Sequence, residues 1–188
     1  FDISKIDFEL LSREFAHTRR KNLLLRDLDE LVNQQLAKML FANPQRIDYY
    51  DRYQEIIDAY NAEQNQATIE KTFMDLMELA SSLDTEQQRY VREGFSSDEE
   101  LSVYDLLFSE NLTKQEIETI KKVSVDLLIK IKQQIAKLDH WTDKQETKAI
   151  VDNLIRNTLW QELPNSYDVS YIQTYQKKIY EYVYMRYP

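Results

Sequence analysis

The chain contains a single glycine, Gly94, and three prolines among its 188 residues. Turns between β-strands depend on Gly, Pro, Asn and Asp, so this chain is not expected to form a β-rich domain. One glycine also excludes the Walker A loop, the dinucleotide-binding loop and the nucleophile elbow, because each needs at least two. The composition is rich in Leu, Ile, Glu, Lys and Gln, and it predicts an all-α protein with no sheet of consequence.

Apolar residues recur at helical spacing along most of the chain, which predicts an irregular bundle of about seven to nine helices. The predicted segments lie near residues 4–18, 21–41, 44–61, 67–83, 85–93, 114–138, 143–162 and 168–186, with one more after Ser97.

Short-range signals support several helix ends. Asn43 followed by Pro44 marks a helix start, and Gly94 stands where a left-handed C-cap is expected. Ser97-x-x-Glu100 and Thr113-x-x-Glu116 are candidate capping boxes. We expect Asp139-His140-Trp141 to form the turn after the long 114–138 helix, with Thr142 or Asp143 capping the next helix.

The composition excludes several kinds of chemistry. The chain has no cysteine and only two histidines, which are far apart in sequence, so we predict no metal site. His140 has no serine or cysteine nucleophile beside it in a recognisable arrangement, and we predict no catalytic residue. The absence of a long apolar run and of a signal peptide predicts no membrane association, and a cytoplasmic location fits best. The chain begins with Phe1 rather than an initiator methionine, which is expected of a piece of a larger protein; the alternative is a disordered start that is missing from this sequence.

Charge is distributed unevenly. The net charge is −9, yet residues 12–26 carry five basic side chains against one acid. The candidates for non-specific contact with the phosphates of double-stranded DNA are Arg13, Arg19, Arg20, Lys21 and Arg26. The alternative, given equal weight, is a cationic helix face paired with the chain's own acids. Residues 98–118 hold seven acids and one lysine and should repel DNA.

Aromatic residues concentrate toward the C-terminus, where seven of thirteen tyrosines fall within residues 167–187. A single helix buries only one stripe, so some of these side chains should face outward, and tyrosine and tryptophan are enriched at interfaces. The alternative is packing against other helices of the bundle. The candidates for docking a partner are Trp141, Trp160, Tyr167, Tyr171, Tyr175 and Tyr182.

Several ordered runs carry a family resemblance, among them RRKNLLLRDLDELVNQQLAKML, NPQRIDYYDRYQEIIDAYN, LDHWTDKQETKAIVDNLIRNTLWQELPNSY and the closing VYMRYP. They resemble the C-terminal region of the R (motor) subunit of type I restriction–modification enzymes. The resemblance covers nearly the whole chain, most clearly from residue 19 onward.

The resemblance implies a parent enzyme that uses ATP and Mg²⁺ to move along DNA and cut it, with a nuclease domain and two ATPase lobes outside this chain. It implies no cofactor in this chain, and it implies the modification (methyltransferase) subunit and double-stranded DNA as partners. It also implies that residues 1–42 end the helical region after the motor lobes and that residues 43–188 form the C-terminal helical domain. The alternatives are a purely protein–protein adaptor and a stand-alone enzyme.

Overall fold

A computed structural model describes residues 6–188, and helices account for most of this part of the chain. The elements are α1 (Phe8–His17), α2 (Lys21–Ala42), a 3₁₀ turn (Pro44–Arg46), α3 (Ile47–Ala62), α4 (Gln66–Gln87), α5 (Arg89–Arg92), α6 (Asp98–Leu107), α7 (Lys114–Ile135), α8 (Gln145–Glu162) and α9 (Val169–Arg186). No strand occurs among the described residues, and the prediction of an all-α fold is confirmed. Residues 4 and 5 of the first predicted helix lie outside this described part.

Several helix ends form where the local sequence predicts them. Thr113 and Glu116 make a complete capping box: Thr113 Oγ1 accepts from the backbone N–H of Glu116 at 3.2 Å, and Glu116 Oε2 accepts from that of Thr113 at 2.8 Å. The Asn43 side chain accepts from the backbone N–H of Gln45 at 3.1 Å. Gly94 has a φ of +84°, the left-handed conformation expected of a C-cap glycine.

The turn between α7 and α8 differs in detail from the prediction. Helix α7 ends at Ile135, three residues early, and His140 within the turn has a φ of +46°. A side-chain cap from Thr142 or Asp143 is wrong, because Lys144 is the N-cap of α8 and makes no side-chain cap hydrogen bond. Instead the Thr147 hydroxyl donates to the backbone oxygen of Trp141 at 2.7 Å and fastens the turn to the first turn of α8.

The chain divides into two compact units, Phe1–Gly94 and Phe95–Pro188. In the first unit, α2 and α3 both pack against α4. Side chains spaced three and four residues apart on α2 and α4 make the core; they are Leu25, Leu28, Val32, Leu36, Met39, Phe73, Leu76, Leu79, Ala80 and Leu83. At roughly 1.5–3 kcal/mol for each fully buried large apolar side chain, this interface is the main source of the unit's stability.

Helix α2 is therefore packed within the first unit rather than extended away from it. The predicted boundary after residue 42 does not coincide with the division after Gly94. That boundary concerns the arrangement of a longer subunit, and it stays a prediction.

The second unit is a closed four-helix arrangement. Helix α6 packs on α7, α7 on α8, α8 on α9, and α9 returns to α6. Each helix turns an apolar stripe toward the centre, where Leu101, Ile120, Leu127, Ile155 and Ile179 are fully buried. No helix among the described residues is long and apolar enough to cross a membrane.

Candidate interaction surfaces

The described residues hold no group of three or more His, Cys, Asp or Glu side chains that could bind a metal ion. His17 is the exposed last residue of α1. His140 is also exposed, and its Nε2 lies 3.6 Å from the carboxylate of its neighbour Asp139. Both histidines therefore lie at the surface.

A charge cluster that the sequence did not reveal lies inside the first unit. Arg46, only 4% exposed, donates through Nε to Glu86 Oε1 at 3.0 Å, and Arg89 Nε lies 3.0 Å from the same oxygen. Burial raises the pKa of the adjacent Tyr49, and the negative charge of Glu86 raises it further. The cluster ties the 3₁₀ turn before α3 to the end of α4 and to α5, so its role is structural.

Among the five basic candidates for DNA contact, Lys21 is held by its own unit. Its ammonium donates to Glu70 Oε1 at 2.5 Å and lies 5.3 Å from the centre of the Phe15 ring. This hydrogen bond is the main reason that the pKa of Glu70 lies below its ordinary value. Lys21 is therefore largely neutralised within the unit.

Arg13 and Arg26 have carboxylate neighbours but remain at the surface. Arg13 lies 3.3 Å from Glu9, and Arg26 lies 3.4 Å from Asp27. Both arginine side chains are more than two-thirds exposed, at 73% and 71%. Exposed pairs of this kind contribute little to stability and exchange readily with other partners.

Arg19 and Arg20 differ from the other three candidates. Both are exposed, and no described carboxylate forms an ion pair with either. Arg20 is the N-cap residue of α2, whose first turn contains no acid. The uncompensated positive charge of residues 12–26 is thus concentrated in the short connection between α1 and α2.

The six aromatic candidates for partner docking fall into two groups. Trp141, Tyr167, Tyr175 and Tyr182 are between 1% and 8% exposed, so they belong to the core of the second unit. Two of them use their polar tips internally: Trp141 Nε1 donates to the backbone oxygen of Tyr187 at 2.5 Å, and the Tyr167 hydroxyl donates to that of Leu107 at 2.6 Å. Burial leaves these four almost no surface for a partner.

Trp160 and Tyr171 are the two aromatic candidates that remain exposed, at 48% and 59%. Trp160 lines a groove of about 650 Å³ between α8 and α9. Three basic side chains, which the sequence reasoning did not single out, line the same groove: Lys148, Arg156 and Lys177.

Two acidic side chains moderate the charge of this α8–α9 groove. Asp152 in its lining accepts a hydrogen bond from Gln176 at 2.9 Å, and Lys177 lies 3.9 Å from Glu181 outside it. With three bases and one acid in the lining, the groove keeps a positive charge in an acidic chain. The spacing of Lys148, Asp152, Arg156 and Trp160, four residues apart on one helix, is the sequence signal that could have found it.

A family model described as "Type I restriction enzyme HindI endonuclease subunit-like, C-terminal" matches residues 1–186. The chain belongs to this family. The resemblance stated from the quoted motifs is thereby confirmed, and the match extends over both compact units. No curated protein and no solved structure shows significant similarity to the chain.

Membership in the type I restriction enzyme family has a definite meaning for this chain. The family is the C-terminal part of an endonuclease subunit, so the whole protein to which such a region belongs is a restriction endonuclease subunit. The interaction surfaces described above are therefore surfaces on a part of that subunit.

Proposed function

We propose that this chain is a non-catalytic helical module of the endonuclease subunit. It supports assembly with the modification (methyltransferase) subunit and contacts DNA without sequence preference during translocation and cleavage by the full enzyme. The observation that carries the DNA contact is the exposed pair Arg19 and Arg20, which no described carboxylate neutralises.

The chemistry of this pair suits a DNA backbone. Guanidinium groups bind phosphate oxygens in a bidentate manner and release condensed counterions, which gives affinity without reading bases. Arg13 and Arg26 can join them by exchanging exposed carboxylates for phosphates, whereas Lys21 is retained by Glu70. The resulting footprint is small, which fits a protein that must move along DNA rather than stay at one site.

The assembly role rests on Trp160. A tryptophan surrounded by polar and charged side chains has the composition of an interface centre, where aromatic and arginine residues dominate the binding energy. Trp160 is half exposed in a groove with Arg156 and Lys148 at its sides. We assign this α8–α9 groove to docking of the modification subunit.

We assign the catalytic activities of the parent enzyme to regions of the endonuclease subunit other than this chain. ATP and Mg²⁺ act in other regions of the endonuclease subunit, and this chain works without a cofactor in the cytoplasm. Purified alone, it should hydrolyse neither ATP nor DNA.

The DNA contact can be tested with the 188-residue chain and two duplexes of unrelated sequence. The variant Arg19→Ala/Arg20→Ala should weaken binding equally for both duplexes, as measured by fluorescence anisotropy at several salt concentrations. The slope of log K against log salt should fall by about 2, since each lost phosphate contact removes about 0.9.

The matched control is Arg13→Ala/Arg26→Ala, which removes two arginines that already have carboxylate neighbours. It should lower the slope by less than the Arg19/Arg20 double variant does. Equal effects of the two double variants would contradict the leading role of Arg19 and Arg20, and a loss confined to one duplex sequence would contradict the proposed backbone contact.

The assembly role needs a separate measurement, namely pull-down of the chain by the methyltransferase core. Trp160→Ala should reduce capture, whereas Val91→Ala, at another exposed apolar residue, should not. The second candidate function is an adaptor without DNA contact, which the net charge of −9 favours. Full capture by the core together with no DNA binding at low salt would establish the adaptor instead.

A further inference from the structure

Helices α1 and α2 border an apolar groove of about 610 Å³ at the surface of the first unit. Residues on both helices and one just before α1 supply its apolar lining, which consists of Ile6, Leu10, Leu11, Leu24, Leu28 and Leu31. Leu10 is 52% exposed although it is one of the larger aliphatic side chains. The other five apolar side chains are partly or fully buried, so Leu10 is the one that the groove exposes most.

The groove follows from the helical repeat. On α1 and its N-cap, the lining residues stand at positions 7, 10, 11 and 14; on α2, positions 24, 27, 28 and 31 form a second set, and Glu30 and Gln34 line the groove beside it. Both sets have the spacing i, i+3, i+4 and i+7, so each helix presents one continuous stripe to the groove. A groove between two such stripes has the shape that accepts a third helix.

The rim of the groove is acidic. Among residues 6–188, four carboxylates line it, namely Asp7, Glu14, Asp27 and Glu30, and no lysine or arginine does. The internal contacts of these carboxylates leave their negative charge largely in place. Asp7 accepts from the backbone N–H of Leu10, Glu30 accepts from Gln34, and Asp27 lies 3.4 Å from the exposed Arg26.

We infer that this groove binds an amphipathic helix of another protein, in which leucine-like residues fill the groove and flanking lysines or arginines meet the four carboxylates. Helices in grooves are recognised by such anchors at i, i+3, i+4 and i+7. Complementary charge on both sides favours this partner and disfavours acidic helices.

The acidic rim argues against two other occupants of the groove, a second copy of this chain and DNA. A second copy that used the same groove would bring eight carboxylates together, which is unfavourable for a symmetric dimer. A DNA backbone would meet the same repulsion.

This inference goes beyond the proposed function and is independent of it. The groove contains neither Arg19 and Arg20 nor Trp160. Helix binding is measured without DNA and without the modification subunit, so its failure would leave both proposed roles untouched.

The test uses two synthetic helical peptides with the same leucine positions, one flanked by Lys and Arg and the other by Glu. The 188-residue chain should bind the basic peptide at least tenfold more tightly in fluorescence anisotropy, and added salt should weaken this binding. Leu10→Asn should weaken it about tenfold. The matched control is Met74→Asn, which changes an equally exposed apolar residue on α4 outside the groove and should have no effect.

A second variant keeps the test decisive if Leu10→Asn fails to fold. Asp27→Lys/Glu30→Lys changes two exposed rim residues and should reverse the preference toward the acidic peptide. The inference is overturned if both peptides bind equally, if neither binds, or if the rim variant keeps the original preference. It is also overturned if sedimentation shows self-association that Leu10→Asn abolishes, since the occupant would then be a second copy.

Discussion

The two compact units accommodate polar atoms in their interiors by different means. The first unit, whose core is mainly aliphatic, buries an ionic cluster in which Arg46 and Arg89 meet Glu86. The second unit instead buries aromatic side chains, and the polar tips of Trp141 and Tyr167 donate to backbone oxygens. Charge is thus retained inside one unit, while the other relies on neutral hydrogen bonds.

The comparison of the two units shows that residue type alone does not decide whether a side chain belongs to a binding surface or to the interior. An aromatic-rich segment indicated an interface, yet most of its predicted docking residues are needed to fill the second unit. A basic segment indicated DNA contact, yet Lys21 is held by Glu70 within the first unit. In both cases residue type predicts the kind of interaction, and packing decides which partner is used.

The largest expected effect is in the aromatic core of the second unit. Trp141 is 1% exposed, and its ring meets those of Tyr180 and Tyr184 edge-on, with centroids 6.1 and 5.7 Å away. Trp141→Ala should lower the free energy of unfolding by about 4 kcal/mol, as measured by urea unfolding followed by circular dichroism. Trp160→Ala should change it by no more than about 0.5 kcal/mol. Similar losses from the two variants would remove the distinction between a core and a surface tryptophan.

The next effect concerns the ionic cluster of the first unit. Glu86→Gln removes the carboxylate shared by the buried Arg46 and the partly exposed Arg89, and we expect a loss of about 3 kcal/mol in the same urea experiment. The control is Glu78→Gln, which breaks the exposed pair with Arg52 at 2.9 Å and should cost less than about 1 kcal/mol. Equal losses would mean that burial does not distinguish the two ion pairs.

The smallest expected effect concerns how the free energy of unfolding of the second unit changes at acidic pH. Burial by itself would raise the pKa of Glu99, but the hydrogen bond from Lys132 and the nearby charge of Arg186 help to bring this pKa below its ordinary value of 4.5. A carboxyl with a lowered pKa stabilises the fold above its unfolded-state pKa, and this contribution disappears as the pH falls through the folded-state value.

In the unmodified chain, the free energy of unfolding should therefore fall between about pH 5 and about pH 3 as Glu99 becomes protonated. Glu99→Gln should make this fall smaller, by less than about 1 kcal/mol. Urea unfolding at a series of pH values measures this change. Lys132→Met should make the fall smaller in the same way, because it removes the main partner that lowers the pKa. An unchanged pH profile in both variants would show that this ion pair does not stabilise the second unit.

The helices and several of their ends could be predicted because they depend on residues close in sequence. Apolar spacing and caps such as Thr113 with Glu116 act within three or four residues. The prediction was wrong at the α7–α8 turn because a contact longer than this range forms there. The Thr147 hydroxyl donates to the backbone oxygen of Trp141, and this hydrogen bond takes the place of the expected side-chain cap.

The candidate surfaces could be predicted only in part. The basic segment indicated which residues carry positive charge, but the partner of Lys21 lies 49 positions away in sequence. Trp141 and Trp160 lie in one segment and have the same side chain, yet one is buried and the other is half exposed. The α1–α2 groove with its acidic rim appears only when two separate helical stripes are placed side by side.

By itself, the amino-acid sequence determined the all-α fold, the positions of most helices and the family resemblance. All three depend on composition, local spacing and ordered motifs. The tertiary structure alone decided which aromatic residues are core, which cations keep an unneutralised charge and where an apolar groove stays open. These properties depend on contacts between residues far apart in the chain, because burial and ion pairing are set by which helix faces meet.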